Sequence, residues 1–315
     1  MVIKLNLMDN NKRYNSIDRY YKVKYGEKVA KISLNGNFSC PNKDGSKGFG
    51  GCIYCSASGS GDFAGDKTLD VISQFYSIKT VIDKKWQNCL YMPYLQANSN
   101  TYGSIEKLKS VYEPLVTLPD IVGISIATRS DCFNEEIYDY LDDLNKRIPI
   151  QIELGLQTIH EHTAKLINRQ TELSEFEEVV KRLRSLNIEI VVHIINGLPY
   201  ETKDEMLETI QYLNKLDIQG IKIHSLLVLK NTELEKLYEQ EKFKILTLEE
   251  YVDITVSQIE LLRPDIIIHR VGADSSVEDL IEPQWSRKKL VVMNEIDKLL
   301  RKKDSYQGIH YSGQL

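Results

Sequence analysis

The residues best suited to chemistry in this chain are three cysteines near its N-terminus. Cys40, Cys52 and Cys55 lie in "NFSCPNKDGSKGFGGCIYCS" (37–56), a segment rich in glycine and lysine, and form the pattern C-x11-C-x2-C. The chain has five cysteines, an odd number, and its N-terminus lacks the long apolar segment of a signal peptide. A disulfide framework therefore explains these cysteines poorly, and metal or redox chemistry explains them better.

Three kinds of site could use these thiols. A structural zinc site needs four protein ligands and would recruit Cys89, Cys132 or a histidine. A redox pair would use Cys52 and Cys55 and leave Cys40 unexplained. A [4Fe–4S] cluster held by three thiolates would leave one iron without a protein ligand. That iron could bind the amino and carboxylate groups of S-adenosylmethionine (SAM), and electron transfer could then break the sulfonium–carbon bond.

The spacing favours the cluster. A Cys-x-x-Cys pair on a tight turn can reach two corners of a cluster, and Tyr54, next to the last cysteine, is placed to lie beside an adenine ring. The flanking glycines permit positive-φ turns and close approach of the backbone to a compact cluster. Cys89 and Cys132 need no function as small buried residues, although Cys132 follows a strand and would lie near the site.

The elements that must position these thiols alternate regularly along the chain. Six apolar, β-rich runs alternate with amphipathic helical segments, and the runs are 29–34, 88–97, 121–127, 150–157, 188–199 and 220–229. This alternation predicts βαβ units and a parallel sheet, either an open doubly wound sheet or a full or partial (β/α) barrel. In a barrel the carboxyl ends of the strands meet at one mouth, where catalytic groups gather. The polar residues at those ends are Cys40, Asn98, Arg129, Gln157 and Asn196.

Three parts of the chain are predicted from these patterns. They are a basic and aromatic N-terminal segment (1–28), a core (29–245) and a C-terminal α/β extension packed on the core (246–315). The extension contains a helix (247–262), a strand (265–271) and a basic terminal helix (286–303). No apolar run approaches the roughly 20 residues of a membrane span. We therefore expect a cytoplasmic protein without a membrane partner.

The charge is unevenly distributed. The net charge of −5 argues against a uniformly basic nucleic-acid-binding protein, but seven lysines and arginines lie between Lys12 and Lys31, interleaved with tyrosines. Such a mixture suits phosphate contact and base stacking. The plainer interpretation is a solvated amphipathic segment.

Together with the cysteine pattern, four further motifs resemble the radical SAM enzymes of the Elp3-like branch. They are "ATRSDC" (127–132), "ELGLQT" (153–158), "INRQT" (167–171) and "HIINGLPYET" (193–202). A bacterial subgroup, the MnmL or YtqA-like proteins, is similar also in "YGEKV" (25–29), "KIHSLLVLKNTEL" (222–234), "LEEYV" (248–252), "IHR" (268–270) and "YQG" (306–308). The resemblance covers essentially the whole chain and implies a partial (β/α)6 barrel.

The resemblance also implies roles for individual residues. Cys40, Cys52 and Cys55 would ligate the cluster, and Arg169 would pair with the methionine carboxylate of SAM. The other implied SAM contacts are Tyr54 at adenine, Gln96 and Asn98 near the methionine amino group, Glu153 and Gln157 near the ribose and sulfonium, and the backbone of Asn196, Gly197 and Leu198 at adenine.

The substrate implied by the subgroup is the C5 side chain of the tRNA wobble uridine, trimmed from 5-carboxymethylaminomethyl to 5-aminomethyl. The residues expected to contact tRNA phosphates are Lys12, Arg13, Arg19, Lys22, Arg287, Lys288, Lys289, Arg301 and Lys302. A flavodoxin or ferredoxin would supply electrons. Two alternatives stay open: a radical SAM enzyme acting on a small metabolite or peptide, and a zinc-stabilised nucleic-acid-binding protein.

Residues that would act on the substrate are less clearly marked. His193 and His224 lie on successive predicted strands, where one could donate a proton or anchor the substrate, although strand histidines are commonly satisfied core residues. Arg129 is a candidate for holding a substrate carboxylate. Cys132 completes this group of catalytic candidates.

Overall fold

The computed structural model describes residues 12–59 and 61–313. The helices are α1 (Ile17–Tyr25), α2 (Val71–Lys85), α3 (Ile105–Val116), α4 (Glu135–Arg147), α5 (Glu161–Leu166), α6 (Leu173–Ser185), α7 (Lys203–Leu213), α8 (Glu233–Glu239), α9 (Leu248–Leu261) and α10 (Lys289–Lys302). The strands are β1 (Val29–Leu34), β2 (Leu90–Leu95), β3 (Ile124–Thr128), β4 (Ile150–Gln157), β5 (Glu189–Asn196), β6 (Gly220–Ser225), β7 (Val228–Leu229), β8 (Ile267–Val271) and β9 (Leu280–Glu282).

The main sheet has seven strands in the order β1-β2-β3-β4-β5-β6-β8. Its pairings are parallel: Val29 lies opposite Leu90 and Leu34 opposite Leu95, and β3 pairs with β4 in the same way. Helices connect consecutive strands, as parallel pairing requires. The predicted parallel β/α architecture is confirmed.

Local sequence determines where the connecting helices begin. The side chains of Asp70, Ser104 and Asn134 accept hydrogen bonds from backbone N–H groups in the first turns of α2, α3 and α4. Thr202 and Thr247 start α7 and α9 with reciprocal capping boxes, in which a glutamate three residues later bonds back to the cap. These caps keep each helix start close to the end of the preceding strand or loop.

The chain divides into two compact units, each formed from several segments. One comprises the described residues of 1–20, 157–167 and 193–315, and the other comprises 21–156 and 168–192. In the first unit α9 packs against α7 and α10, and in the second α2 packs against β1. The predicted three-part division of the chain stays a prediction.

The C-terminal part of the sheet differs in detail from the sequence-based expectation. The predicted strand 220–229 is interrupted, because β6 ends at Ser225 and β7 pairs instead with β9 in an antiparallel ribbon. The predicted strand 265–271 corresponds to β8, which pairs in parallel with β6. The extension therefore contributes a strand to the main sheet. In the part of the chain that the structure describes, no helix is long and apolar enough to cross a membrane.

Candidate functional site

The three cysteines lie in a tightly wound loop after β1. Backbone N–H groups of Lys43 and Cys55 donate to the carbonyl oxygens of Cys40 and Cys52, at 2.8 and 2.9 Å. All three cysteines are free and half-buried. At Gly48 a Cβ atom would lie 2.4 Å from Oδ1 of Asn42, so the loop's close approach requires a residue without a side chain.

Asn42 joins this loop to a second segment. Its Nδ2 donates to the carbonyl oxygen of Asn168 at 2.6 Å and lies 3.6 Å from Sγ of Cys52. Asn168 in return donates from its side chain to the carbonyl oxygen of Gly51 at 2.8 Å. Asn42 was not predicted from the sequence, although its position two residues after Cys40 was a usable signal. This exchange holds the loop against the residue that precedes Arg169.

The electrostatic surroundings of the thiols suit a metal-bound state. Burial raises the pKa of Cys52, against the opposing charge of Arg129. Burial raises the pKa of Cys55 to about 11, against the opposing charge of Lys43. Charge on Cys40 would also raise the pKa of both thiols. Because bound metal stabilises thiolates, three free thiols beside two cations fit a [4Fe–4S] cluster.

Among the described residues, no three His, Cys, Asp or Glu side chains are grouped so that they could hold one metal ion. The assignment of Cys40, Cys52 and Cys55 as ligands stays a prediction. Burial also raises the pKa of Tyr54 well above its usual range, with further contributions from Cys52 and Cys55. Tyr54 therefore lies beside the thiols as a neutral ring.

Arg129 is held by a partner within its own loop. Its Nε and Nη2 donate to the two carboxylate oxygens of Asp131, each at 2.8 Å, and Nη2 also donates to the carbonyl oxygen of Arg169. Burial disfavours the charge on Arg129, but the hydrogen bonds and charge of Asp131 outweigh it and raise its pKa. Cys132 is buried beside this pair, and burial raises its pKa. Of the predicted substrate residues, these two thus lie next to the cysteine loop.

Glu153, a predicted SAM contact, belongs to a buried polar group on one face of the sheet. Nζ of Lys31 on β1 lies 2.5 Å from its Oε1, and Oγ of Ser125 on β3 donates to the same oxygen at 2.7 Å. Lys31 also donates to Oε1 of Gln151 at 3.3 Å and lies over the ring of Tyr94. Lys31 was grouped with the basic N-terminal segment from its sequence position, whereas its charge lies within the sheet.

Arg169 is almost fully buried, with 2% of its surface exposed. Its Nη1 donates to the carbonyl oxygen of Leu156 at 2.8 Å, and its Nη2 donates to that of Thr171 at 2.9 Å. These bonds connect the end of β4 to the segment before α6. They fix the guanidinium in place, and its pairing with the methionine carboxylate stays a prediction.

The predicted SAM contacts after β2 lie in a tight turn. Asn98 has a φ of 60° and donates from its side chain to the carbonyl oxygen of Phe38 at 3.1 Å. Gly59 packs so closely against the Asn98 side chain that a Cβ atom at Gly59 would overlap it. Gln96 is half-buried at the end of β2. The structure thus places both residues just beyond the carboxyl end of β2, and their contact with SAM stays a prediction.

The ends of β4 and β5 carry the remaining predicted SAM contacts. Gln157 ends β4 with a φ of 65°, and Gly197 follows β5 with a φ of 86°. The side chains of Asn196 and Gln258 exchange two hydrogen bonds of 2.7 and 2.8 Å in the buried interior. Leu198 is buried as well. The Asn196 side chain is therefore occupied, and the contact of this loop's backbone with adenine stays a prediction.

Two further features of the same unit concern protons. The rings of His193 and His224 on β5 and β6 lie 5.1 Å apart. Thr158, which follows β4, donates a 2.5 Å hydrogen bond to Oε1 of Glu201. Burial raises the pKa of Glu201 to about 7, with this hydrogen bond opposing the shift. Glu201 was not predicted from the sequence, where its place in the "NGLPYET" motif was the only indication of a role at the site.

The predicted tRNA-contacting cations differ in their surroundings. Three form ion pairs: Lys12 with Asp297 at 2.5 Å, Arg13 with Asp304 at 2.7 Å, and Lys289 with Asp274 at 3.1 Å. Three are exposed and form no ion pair with any residue that the structure describes, namely Lys22, Lys288 and Lys302. Arg287 and Arg301 are exposed and Arg19 is half-buried.

The tyrosines interleaved with the N-terminal cations also differ. Tyr14 and Tyr21 are buried, with 3% and 4% of their surfaces exposed, so they are unavailable for base stacking. Tyr20 and Tyr25 are half-buried. This segment is a weaker nucleic-acid surface than its composition predicted.

Comparisons with known proteins agree with the motifs. The Radical SAM superfamily model matches residues 47–213, and the Radical SAM C-terminal domain model matches residues 218–302. The chain is 45% identical over 300 residues to YtqA of Bacillus subtilis, covering 95% of this chain and 93% of that protein. It is 31% identical over 278 residues to YhcC of Escherichia coli, covering 88% and 89%.

More distant similarities extend to Elp3 proteins. The chain is 27% identical over 161 residues to Elongator complex protein 3 of Saccharomyces cerevisiae, covering 50% of this chain and 28% of that protein. The structure of Methanocaldococcus infernus Elp3 matches with a TM-score of 0.66 and 16% identity, covering 89% of this chain and 64% of that one. At this identity the likeness concerns the fold alone. It confirms the predicted partial barrel with a C-terminal extension.

Proposed function

The chain belongs to the radical SAM superfamily, and from that premise we propose that it trims the C5 side chain of the tRNA wobble uridine from 5-carboxymethylaminomethyl to 5-aminomethyl. The cofactors of the family are a [4Fe–4S] cluster and SAM. When bound, they supply a 5′-deoxyadenosyl radical. Removal of a hydrogen atom from the methylene between the amine nitrogen and the carboxylate, loss of one electron from the resulting carbon radical to the oxidised cluster, and hydrolysis of the imine would leave the 5-aminomethyl group and release the two carboxymethyl carbons as glyoxylate. We further propose that the reaction takes place in the cytoplasm, with electrons from a flavodoxin or ferredoxin.

The observation that carries the radical chemistry is the set of three free thiols beside Arg129 and Lys43. We assign Cys40, Cys52 and Cys55 as the cluster ligands. Asn42 would then orient the Cys52 sulfur from its present distance of 3.6 Å. The two cations would offset the negative charge that three thiolates bring to a partly buried site.

The chain's own groups would orient SAM at the carboxyl ends of the strands. We assign Tyr54 and the backbone of 196–198 to adenine, and Gln96 and Asn98 to the methionine amino group. Glu153 and Gln157 would face the ribose and sulfonium. Lys31 and Ser125 donate hydrogen bonds to the Glu153 carboxylate and hold it in one orientation before any cosubstrate arrives, which lowers the entropy cost of binding.

The tRNA part of the proposal is supported by the exposed cations of the C-terminal region. Lys288 and Lys302 lie at opposite ends of α10 without acidic partners among the described residues, and Arg301 is exposed next to Lys302. Cations that are not already paired with carboxylates contribute most to RNA affinity, because their contact with phosphates releases bound counterions. The pairing of Lys12, Arg13 and Lys289 with carboxylates favours, in contrast, the alternative of a small metabolite or peptide substrate.

Nucleoside mass spectrometry of tRNA from a strain lacking the gene separates these alternatives. We expect 5-carboxymethylaminomethyluridine to accumulate and derivatives of 5-aminomethyluridine to disappear. Unchanged wobble uridines would remove the tRNA substrate and leave the radical enzyme. Anaerobically purified protein with stoichiometric zinc, no iron and no cleavage of SAM under dithionite would contradict the cluster assignment.

A further inference from the structure

The loop after β5 contains a tyrosine on an unusual backbone. Glu201 donates from its backbone N–H to the carbonyl oxygen of Leu198 at 3.1 Å, which closes a four-residue turn over 198–201. Pro199 occupies its second position, and Tyr200, with a φ of 64°, occupies its third. These are the features of a type II turn, whose third position favours glycine or asparagine because φ is positive there.

A tyrosine at this position costs stability, and no polar or aromatic contact in the described part of the chain offsets the cost. The Tyr200 side chain is 60% exposed, and it makes no hydrogen bond, ring stacking or cation–π contact with the residues that the structure describes. A bulky residue in the left-handed region is an outlier that persists where the surrounding structure imposes it. The ring therefore contributes little to the stability of the fold, and glycine would fit this backbone position with less strain.

The surroundings hold this turn rigid on both sides. On one side the Glu201 carboxylate accepts the hydrogen bond of the buried Thr158, and Thr202 begins α7 with a capping box. On the other side Leu198 is buried, and the backbone N–H of Gly197 points to the sulfur of Met206 at 3.3 Å. The backbone that carries Tyr200 is thus fixed while its ring faces solvent.

We propose that Tyr200 is a stacking platform for a nucleobase of the RNA substrate, an inference that rests on the proposed function. Tyr200 lies four residues after the end of β5, on the loop at the edge where catalytic groups gather in (β/α) folds, and two residues after the backbone assigned to adenine. Base stacking needs an exposed aromatic face held by a rigid support. Tyrosine has only two side-chain torsions, so it loses little entropy when a base covers it.

The test uses anaerobically reconstituted holoprotein and a fluorescein-labelled anticodon stem-loop RNA with uridine at the wobble position, with binding followed by anisotropy. We expect Tyr200→Ala to weaken binding about five- to a hundredfold, the range of one lost stacking contact. Tyr200→Phe keeps the ring and should bind as the wild type does. Tyr76→Ala, which removes a tyrosine of similar exposure on α2, should also leave binding unchanged.

Tyr200→Gly separates a binding role from a structural one. Glycine relieves the positive φ, so we expect its melting temperature to equal or exceed that of the wild type while RNA affinity falls as in Tyr200→Ala. A lower melting temperature would mean that the ring supports the fold and would overturn the inference. Equal RNA binding by wild type and Tyr200→Ala would overturn the role of Tyr200 but not the proposed tRNA substrate. Wild-type protein that binds no RNA would overturn both.

Discussion

Nζ of Lys31 lies 2.5 Å from Oε1 of Glu153, and this ion pair joins β1 and β4 on one face of the sheet. The Glu153 side chain is fully buried, whereas that of Lys31 is 21% exposed. Ionised carboxylates are costly to bury unless they are paired and hydrogen-bonded, and here Ser125 supplies a second bond to the same oxygen. The face of the sheet that carries a predicted SAM contact is therefore polar and already organised.

Removing the lysine should expose the cost of this burial. Lys31→Met leaves the Glu153 carboxylate without its cation, and we expect the free energy of unfolding in urea to fall by about 3 kcal/mol. Adding Glu153→Gln to Lys31→Met should recover part of the loss, since the charge is then gone. The control is Lys146→Met in the exposed pair with Asp142, which should cost less than about 1 kcal/mol. A Lys31→Met loss as small as this control would show that the buried pair is not needed.

The stability of the protein should depend on pH through Glu201. Burial raises its pKa to about 7, whereas a glutamate in the unfolded chain titrates near about 4.3. Between these values the folded chain binds the extra proton, so the contribution of Glu201 is complete below about pH 4 and is lost as pH rises to about 7. Relative to Glu201→Gln, the wild type should lose about 3 kcal/mol of unfolding free energy between pH 5 and pH 8. Parallel stability curves for the two proteins would mean that Glu201 ionises normally.

The cluster ligands should be distinguishable from the other cysteines by metal content. Cys52→Ala removes one of three proposed thiolates, so we expect iron after anaerobic reconstitution, and the visible absorption of the cluster, to fall to near background. Cys89→Ala is the matched control, because Cys89 is a buried free thiol outside the loop. Iron content that is the same in both variants would contradict the assignment of Cys52.

The unpaired cations should carry the salt dependence of tRNA binding. Lys288→Gln and Lys302→Gln should each weaken binding and reduce the slope of log K against log [salt] by about 1. Lys12→Gln should have a smaller effect, because its charge is already offset by Asp297. Equal effects at all three positions would mean that the ion pair of Lys12 opens on binding, and no effect at any would place the RNA elsewhere.

Much of the fold was predictable because the spacing of apolar residues differs between strands and helices. β1 and β4 have the bounds predicted from the apolar runs 29–34 and 150–157. The end of β6 at Ser225 was not predictable, because the apolar run continues to residue 229 and only the partner β9 draws Val228 and Leu229 into a separate ribbon. Local pattern indicates that a strand exists, whereas long-range pairing decides where it ends.

The site was predictable where a motif carried it and not where partners came from distant segments. The cysteine loop and the polar strand ends followed from spacing. The contact of Lys31 with Glu153 joins residues 122 positions apart, and that of Asn42 with Asn168 joins residues 126 apart. From sequence alone, a lysine within a strand is interpreted as a surface cation, because the carboxylate that lies beside it in the folded sheet is distant in the chain. Only the folded structure could therefore separate Lys31 from the basic N-terminal segment.

The most direct test of the proposed activity is the reaction with purified components. Holoprotein, SAM, reductant and tRNA rich in 5-carboxymethylaminomethyluridine are incubated without oxygen, and nucleosides and 5′-deoxyadenosine are measured by mass spectrometry. We predict that 5-aminomethyluridine and 5′-deoxyadenosine form together and that neither forms with Cys52→Ala. Release of 5′-deoxyadenosine with no change in any tRNA nucleoside would contradict the proposed substrate, and absence of both products from iron-loaded protein would contradict the proposed radical chemistry.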